Sequence, residues 1–211
     1  MKPFFRWSGI LLSTVLVCFL LYFNLQLYHH SPCQTLSGGQ LDLVTLDQLH
    51  YLRRQLHEHH AAEDMQDLYP EGFVFTHALY ALAWCEVVAQ LPPESKSHQE
   101  GIQEIAFSLA QLQSKKGRTN FNAALPLPYG AFYRGWTTYL EGRSLQLFPP
   151  EQRDTDQIAR FENNCTAIAR SIQSTENPFL ESYTDLCWPA DNVVCLAALS
   201  LHDRFLAPRF P

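Results

Sequence analysis

Residues 177–204 read NPFLESYTDLCWPADNVVCLAALSLHDR, a polar and aromatic loop followed by an alanine-rich apolar run. No other segment of the chain contains so many side chains that could take part in binding or catalysis. Its loop carries Tyr183, Asp185, Trp188 and Asp191. The run from Asn192 onward is apolar at nearly every position, which is typical of a helix buried on most sides. The stretch therefore predicts a buried helix whose entrance is a candidate site.

The same arrangement occurs twice earlier in the chain. Two other apolar runs, residues 73–90 and 129–140, each follow an amphipathic segment and a loop that contains a tyrosine. The repeating unit of roughly 55 to 60 residues is an amphipathic helix, a loop and a buried helix. The loop tyrosines are Tyr69, Tyr129 and Tyr183, and the equivalent points near the starts of the buried helices are His77, Tyr133 and Asp191.

This repeat predicts an all-α fold over residues 41–211. Helical hairpins laid side by side bury each inner helix between its neighbours, as in an α/α toroid. Three hairpins make half of a six-hairpin ring, and all three inner-helix entrances would open on one face. Because the edge of a half-ring exposes apolar surface, we expect a homodimer or a second half-ring to cover it.

The N-terminal segment has the pattern of a membrane anchor. Residues 7–27 are almost entirely apolar and uncharged, and Lys2 and Arg6 precede them. The positive flank predicts residues 1–6 in the cytoplasm and the main domain outside the inner or plasma membrane, after a linker at residues 28–40. A cleaved signal peptide is the alternative, although no small-residue cleavage site follows the apolar run.

Composition and motifs narrow the function classes. A net charge of −6 gives no basic surface for nucleic acid. Cys85, Cys165 and Cys195 lie in apolar helical runs and are expected as buried free thiols, with a Cys187–Cys195 disulfide as an alternative. The run His57–His60 lacks the spacing of a helical zinc site and is expected on an exposed helix face. No metal and no cofactor is predicted.

The candidate catalytic residues are carboxylates at the third entrance. Asp185 and Asp191 supply the two groups that acid/base chemistry requires. The alternatives are a turn residue at Asp185 and a helix N-cap at Asp191, where capping would hold the carboxyl pKa low. The other candidate catalytic residues are Tyr133 and His77, for which core packing is the alternative. The candidate substrate-binding residues are Tyr69, Tyr129, Tyr183 and Trp188.

Residues 129–204 also resemble part of the linalool dehydratase/isomerase family. The shared elements are Asn177-Pro178-Phe179, Asp185, Asn192 and LAALSLHDR at residues 196–204. The resemblance implies the N-terminal half of an (α/α)6 toroid that is exported and converts a small terpene alcohol without an organic cofactor. Where that family carries two cysteines this chain has Ser182 and Asp191, so thiol chemistry is not implied here.

Three functional hypotheses follow. The first is a membrane-anchored, extracytoplasmic lyase or isomerase that acts on a small apolar alcohol through acid/base chemistry. The second is an α/α toroid that binds or cleaves glycans, with Trp188 and Tyr183 as stacking surfaces. The third is a non-catalytic half-ring that binds or assembles with another protein, because fold analogy alone does not choose among functions.

Overall fold

A computed structural model describes residues 2–27 and 43–210 and divides the chain into two compact units, residues 1–44 and 45–211. The first unit contains helix α1, Lys2–Leu27. Within these described residues no helix combines the length and the apolar character needed to cross a membrane. The anchor predicted at residues 7–27 falls on α1 and stays a prediction, and the linker predicted at 28–40 lies outside the described residues.

The second unit is helical, as the repeat predicts. Its regular elements within residues 45–210 are helices, apart from an isolated bridge between Tyr183 and Leu186, which confirms the all-α class. The helices are α2 (Leu43–Glu58), α3 (Ala61–Leu68), α4 (Gly72–Val88), α5 (Lys96–Gln113), α6 (Lys115–Arg118), α7 (Gly130–Gln146), α8 (Thr155–Ser174) and α9 (Pro189–Phe205), with a short 3₁₀ turn at Pro150–Gln152.

The three predicted inner helices are α4, α7 and α9. Helix α7 packs between α4 and α9, and its closest approach is to α9. At Gly135 a Cβ atom would lie only 3.2 Å from the backbone nitrogen of Cys195, so glycine allows the two backbones to come together. Trp84, Leu140 and Ala198 are fully buried on the three helices. Their burial confirms that one face of each apolar run lies inside the domain, although Leu79, Val193 and Leu196 are exposed.

The amphipathic helices α5 and α8 cover the inner helices. Helix α5 packs on α4 and α7, and α8 packs on α7 and α9. Each begins at a residue type that favours helix N-caps: the side chains of Ser95 and Asp154 accept hydrogen bonds from backbone N–H groups three residues later. Phe161 and Ile168 of α8 are fully buried, and each contributes roughly 1.5–3 kcal/mol of apolar burial. The ring that the repeat suggests stays a prediction.

The first amphipathic helix differs from the prediction. Leucines at three- and four-residue steps, beginning at Leu43, predict a single helix through about Asp64. The structure divides this segment into α2 and α3. The break is at His60, whose φ of 54° is left-handed and cannot continue an α-helix. Helix α3 then packs on the start of α4, where a Cβ atom at Gly72 would lie 2.1 Å from the carbonyl oxygen of Met65. The prediction of one continuous helix is therefore wrong at His60.

The cysteines in the described residues are free. Cys85, Cys165 and Cys195 are buried, as predicted, while Cys187 is exposed and makes no disulfide with Cys195. Burial raises the pKa of each of the three buried thiols to about 12, so they are protonated at neutral pH. Cys33 lies outside the described residues. These thiols behave as small core side chains.

Candidate functional site

The loop before α9 is held by Asn192. Its amide oxygen accepts from the backbone N–H of Leu180 at 2.8 Å. Its amide nitrogen donates to the carbonyl oxygens of Leu180 and Trp188 at 3.2 and 3.0 Å. One buried side chain therefore joins both ends of the loop. Asn192 lies in the first turn of α9 and fixes the geometry of the loop. In the sequence, this residue was noted only for the family resemblance.

The same loop lies directly against the start of α7. The backbone N–H of Ala131 donates to the carbonyl oxygen of Glu181 at 2.8 Å. Gly130 has a φ of 78°, and a Cβ atom there would lie 2.2 Å from the carbonyl oxygen of Ser182. Only glycine fits this approach. The entrances of α7 and α9 are therefore in backbone contact, as the repeat predicts for neighbouring inner helices.

Asp191 is not the helix cap that the sequence suggested. Helix α9 begins at Pro189, and its N-cap position is held by Trp188, whose side chain makes no capping bond. The Asp191 carboxylate instead accepts a 2.5 Å hydrogen bond from the Ser182 hydroxyl. Burial raises the Asp191 pKa, the Ser182 hydrogen bond opposes the shift, and the charge of Glu71 adds to it. The low pKa expected from capping is therefore wrong.

Tyr183 connects this carboxylate to the first inner helix. Its hydroxyl donates to Glu71 Oε1 at 2.8 Å, and Glu71 stands immediately before α4. Burial and the neighbouring Glu71 raise the pKa of Tyr183, which keeps the phenol protonated. Glu71, Ser182, Tyr183 and Asp191 are named the acid cluster below. Sequence reasoning missed the role of Glu71, although its place at an inner-helix entrance was a signal for it.

Aromatic rings border the acid cluster. Phe121 stacks on Tyr183 with ring centroids 5.6 Å apart, and Trp188 meets Tyr183 edge-on at 5.9 Å. Trp188 remains 42% exposed, as a ring available to a ligand would be. The cluster therefore combines two carboxyl groups and a phenol with partly exposed aromatic surface, which is the composition of many small-ligand sites.

The other predicted residues occupy different places. Asp185 is exposed at the tip of the turn from Tyr183 to Leu186, with a left-handed φ of 62°. Tyr69 is also exposed, in the loop between α3 and α4. His77 is buried in α4 against Phe73. The structure thus groups Asp191, Tyr183 and Trp188, but it does not bring Asp185, Tyr69 or His77 into the acid cluster through any contact among the described residues.

Tyr129 and Tyr133 line a second, polar pocket. Their ring centroids lie 5.5 Å apart. The Tyr133 hydroxyl donates to the carbonyl oxygen of Leu112 at 2.9 Å, and burial raises its pKa. The guanidinium groups of Arg118 and Arg134 lie 5.6 and 5.5 Å from the centre of the Tyr129 ring. This pocket, with a cavity volume of 170 Å³, is named the arginine pocket below.

Residues 57–60 are exposed, as predicted for the histidine run, but His57 also contacts a buried polar network. Glu104 of α5 accepts a hydrogen bond from Arg53 at 2.9 Å and from the Tyr80 hydroxyl at 3.0 Å, and His57 Nε2 lies 2.8 Å from its second oxygen. Burial opposes ionisation of Glu104, but these partners together lower its pKa. His57 therefore lies on an exposed face of α2 with one ring nitrogen against a buried carboxylate. Among the described residues, no cluster of His, Cys, Asp and Glu is arranged to hold a metal ion.

Comparison with known proteins identifies no relative of this chain. No protein family, curated protein or solved structure matches the chain. The resemblance to the linalool dehydratase/isomerase family therefore has no support from these comparisons and stays a prediction. Functional inference for this chain consequently depends on its own geometry and chemistry.

Proposed function

We propose that the acid cluster is an acid/base site for a small apolar alcohol, within a half-ring of the α/α-toroid type. The carrying observation is Asp191, a half-buried carboxyl group whose pKa is raised and which is held in place by Ser182. A raised pKa favours the protonated form that a general acid requires. The aromatic rings of Tyr183 and Trp188 supply the apolar wall that such a substrate requires.

The proposed step is a dehydration or its reverse. Protonated Asp191 gives its proton to the substrate hydroxyl, the C–O bond breaks and water leaves. The Glu71 carboxylate takes a proton from the neighbouring carbon, and the electron pair of that C–H bond forms the C=C bond. One proton leaves the protein and one returns, so the net products are alkene and water. Tyr183 positions Glu71 through its hydroxyl.

Substitution of Asp191 tests the site. Asp191→Asn keeps the shape of the side chain and its acceptor for Ser182 but removes the acid, so alkene formation from short-chain tertiary alcohols should fall about 10²- to 10⁴-fold. Asp156→Asn is the matched control, because Asp156 is an exposed acid in the first turn of α8. Alkene is measured by gas chromatography and folding by thermal denaturation. Full activity in a folded Asp191→Asn protein would contradict the proposal.

A glycan substrate is the second candidate, and the exposed ring of Trp188 beside a carboxyl pair favours it. Sugar rings stack on such aromatic surfaces, and most glycosidases use a pair of carboxyl groups as their catalytic residues. Trp188→Ala should then abolish retention on immobilised oligosaccharides. Release of reducing sugar by the wild-type protein, without alkene formation, would favour this second function over the first.

We also infer that α1 anchors the protein in a membrane with the helical domain outside the cytoplasm. The support is the uncharged apolar sequence of residues 7–23, its basic flank, and the exposure of described α1 side chains such as Leu12, Leu16 and Phe19. Resistance of the chain to alkaline carbonate extraction would be expected. Extraction into the soluble fraction would exclude an integral anchor.

The exposed apolar edge of α9 supports a partner for the half-ring. Val193 and Leu196 are 63% and 53% exposed, one helical turn apart. A second copy of the chain or a second half-ring would cover them. Light scattering of the purified full chain should give the mass of a dimer, and Leu196→Glu should convert the dimer to a monomer. A wild-type monomer would leave the second half-ring as the proposed partner.

A further inference from the structure

The arginine pocket concentrates positive charge in an acidic protein. The residues that line it share polar or charged side chains; they are Gln113, Arg118, Tyr129, Tyr133, Arg134, Thr137, Glu141, Arg160 and Asn164. Three guanidinium groups thus face one carboxyl group in a chain with a net charge of −6. Such a local reversal of charge raises the concentration of anions at the pocket.

The guanidinium groups have few carboxylate partners. Among the described residues, the only ion pair made by Arg118, Arg134 or Arg160 is Arg160 to Glu141, with Arg160 Nε 3.7 Å from Glu141 Oε1. Arg118 donates to a backbone carbonyl oxygen and hydrogen-bonds to the side chains of Tyr129 and Tyr133. Arg134 donates to a backbone carbonyl oxygen and to the Asn164 side chain. A guanidinium has five N–H donors, so each retains donors for a ligand.

Glu141 is a weak counter-charge for these arginines. Its two oxygens already accept from amides: Gln113 Nε2 donates at 2.9 Å and Asn164 Nδ2 at 2.8 Å. Burial raises the Glu141 pKa, which favours its neutral form beside the arginines. The pocket is therefore positively charged with or without this proton. An incoming anion would find Arg118 and Arg134 without a carboxylate partner among the described residues, and Glu141 occupied by its amide partners.

An apolar groove adjoins the arginine pocket. It has a volume of 260 Å³, lies between α5, α7 and α8, and shares Gln113, Glu141 and Arg160 with the pocket. The remaining lining is largely hydrocarbon and includes Ile102, Ile105, Leu109, Leu145 and Phe148. Together the two cavities fall in the range of roughly 300–1,000 Å³ that is usual for small-ligand sites.

We propose that the arginine pocket and the apolar groove form one binding site for an amphiphilic anion. The carboxylate or phosphate head of the ligand accepts hydrogen bonds from Arg118, Arg134 and Arg160, and its hydrocarbon chain lies along the groove. Arginine suits both head groups, because its planar donors match two oxygens of either anion. The site is separate from the acid cluster, so it does not depend on the proposed dehydration.

Equilibrium dialysis with four probes tests both halves of the site. The full chain is held in lipid nanodiscs, and partition into empty discs is subtracted. Octanoate and octyl phosphate should bind saturably, and the tighter of the two identifies the head group. Octanol and inorganic phosphate should each bind at least about tenfold more weakly, because each lacks one half of the ligand. Octanol binding equal to octanoate binding, or phosphate binding equal to octyl phosphate binding, would overturn the proposal.

Matched variants locate the binding. Arg160→Gln should weaken octanoate and octyl phosphate binding about tenfold through loss of a charge-assisted contact, whereas Arg170→Gln, exposed on the same helix, should not. Ala110→Trp places a ring in the groove and should abolish octanoate binding, while Gln103→Trp on the exposed side of α5 should not. Circular dichroism confirms folding of each variant. Unchanged binding in a folded Arg160→Gln or Ala110→Trp protein, or no saturable binding by the wild type, would overturn the assignment.

Discussion

Acidification should destabilise the helical domain through His77. This side chain is 2% exposed in α4 and packs on Phe73 and Phe107, with ring centroids 4.6 and 5.6 Å away. Its Nδ1 atom has no hydrogen-bond partner among the described residues. Burial among these rings lowers the pKa of His77 from 6.5 to about 4. The folded protein therefore keeps a neutral imidazole at a pH where the unfolded chain binds a proton.

The size and sign of the effect follow from this difference in pKa. Between pH 6.5 and about 4 the unfolded state holds more protons than the folded state, so the free energy of unfolding falls as the pH falls. Each pH unit between the two pKa values is worth about 1.4 kcal/mol, which gives a loss of about 3 kcal/mol over the window. Above pH 7 the contribution of His77 is constant.

Urea unfolding of the wild type and His77→Phe at a series of pH values measures this loss. Taking the difference between the two proteins cancels the titration of groups that they share. From pH 7 to pH 4, the free energy of unfolding of His77→Phe should increase relative to that of the wild type by about 3 kcal/mol. The control is His59→Phe at an exposed position, which should show no such trend. A difference between wild type and His77→Phe that does not change with pH would refute the argument and restore His77 as a candidate proton carrier.

Three further predictions concern close contacts inside the helical domain. Glu104→Ala leaves three donors around Glu104 without their carboxylate and should cost about 3–5 kcal/mol, whereas the more exposed Glu100→Ala should cost under about 1 kcal/mol by urea unfolding. Asn192→Ala should lower the free energy of unfolding by roughly 1–3 kcal/mol and speed proteolysis of the loop before α9. Cleavage as slow as in the wild type would show that Asn192 does not hold this loop. Gly130→Ala should lower thermal stability by roughly 1–3 kcal/mol because of its left-handed φ, and further because the added Cβ atom meets Ser182. An unchanged stability would refute the close approach of the two backbones.

The inner helices were predictable because their apolar residues are continuous in sequence. Helices α4, α7 and α9 coincide with the three apolar runs, and His77, Tyr133 and Asp191 all lie in their first two turns. Hydrophobic periodicity is local, so one sequence suffices to detect it. The same is true of the caps at Ser95 and Asp154. These features depend on residues a few positions apart.

The state of Asp191 was not predictable from its neighbours in sequence. The sequence rule for a helix start assigned it as a cap with a low pKa, but its partner is the Ser182 hydroxyl and its pKa is raised. Burial and the charge of Glu71 cause the shift, and both come from residues outside the helix start. Likewise, left-handed His60 separates α2 from α3 within the segment predicted as one helix, and α3 packs on α4.

The helical class, the three buried helices and the candidate entrances are predictable from contiguous residues, because apolar periodicity and loop composition are local properties. Which polar groups come into contact depends on how distant segments pack. Glu71 reaches Tyr183 across 112 positions. The arginine pocket gathers Arg118, Arg134 and Arg160 from three segments around Tyr129 and Tyr133. Burial and through-space charge set the chemistry of these groups, and both depend on contacts between distant parts of the chain.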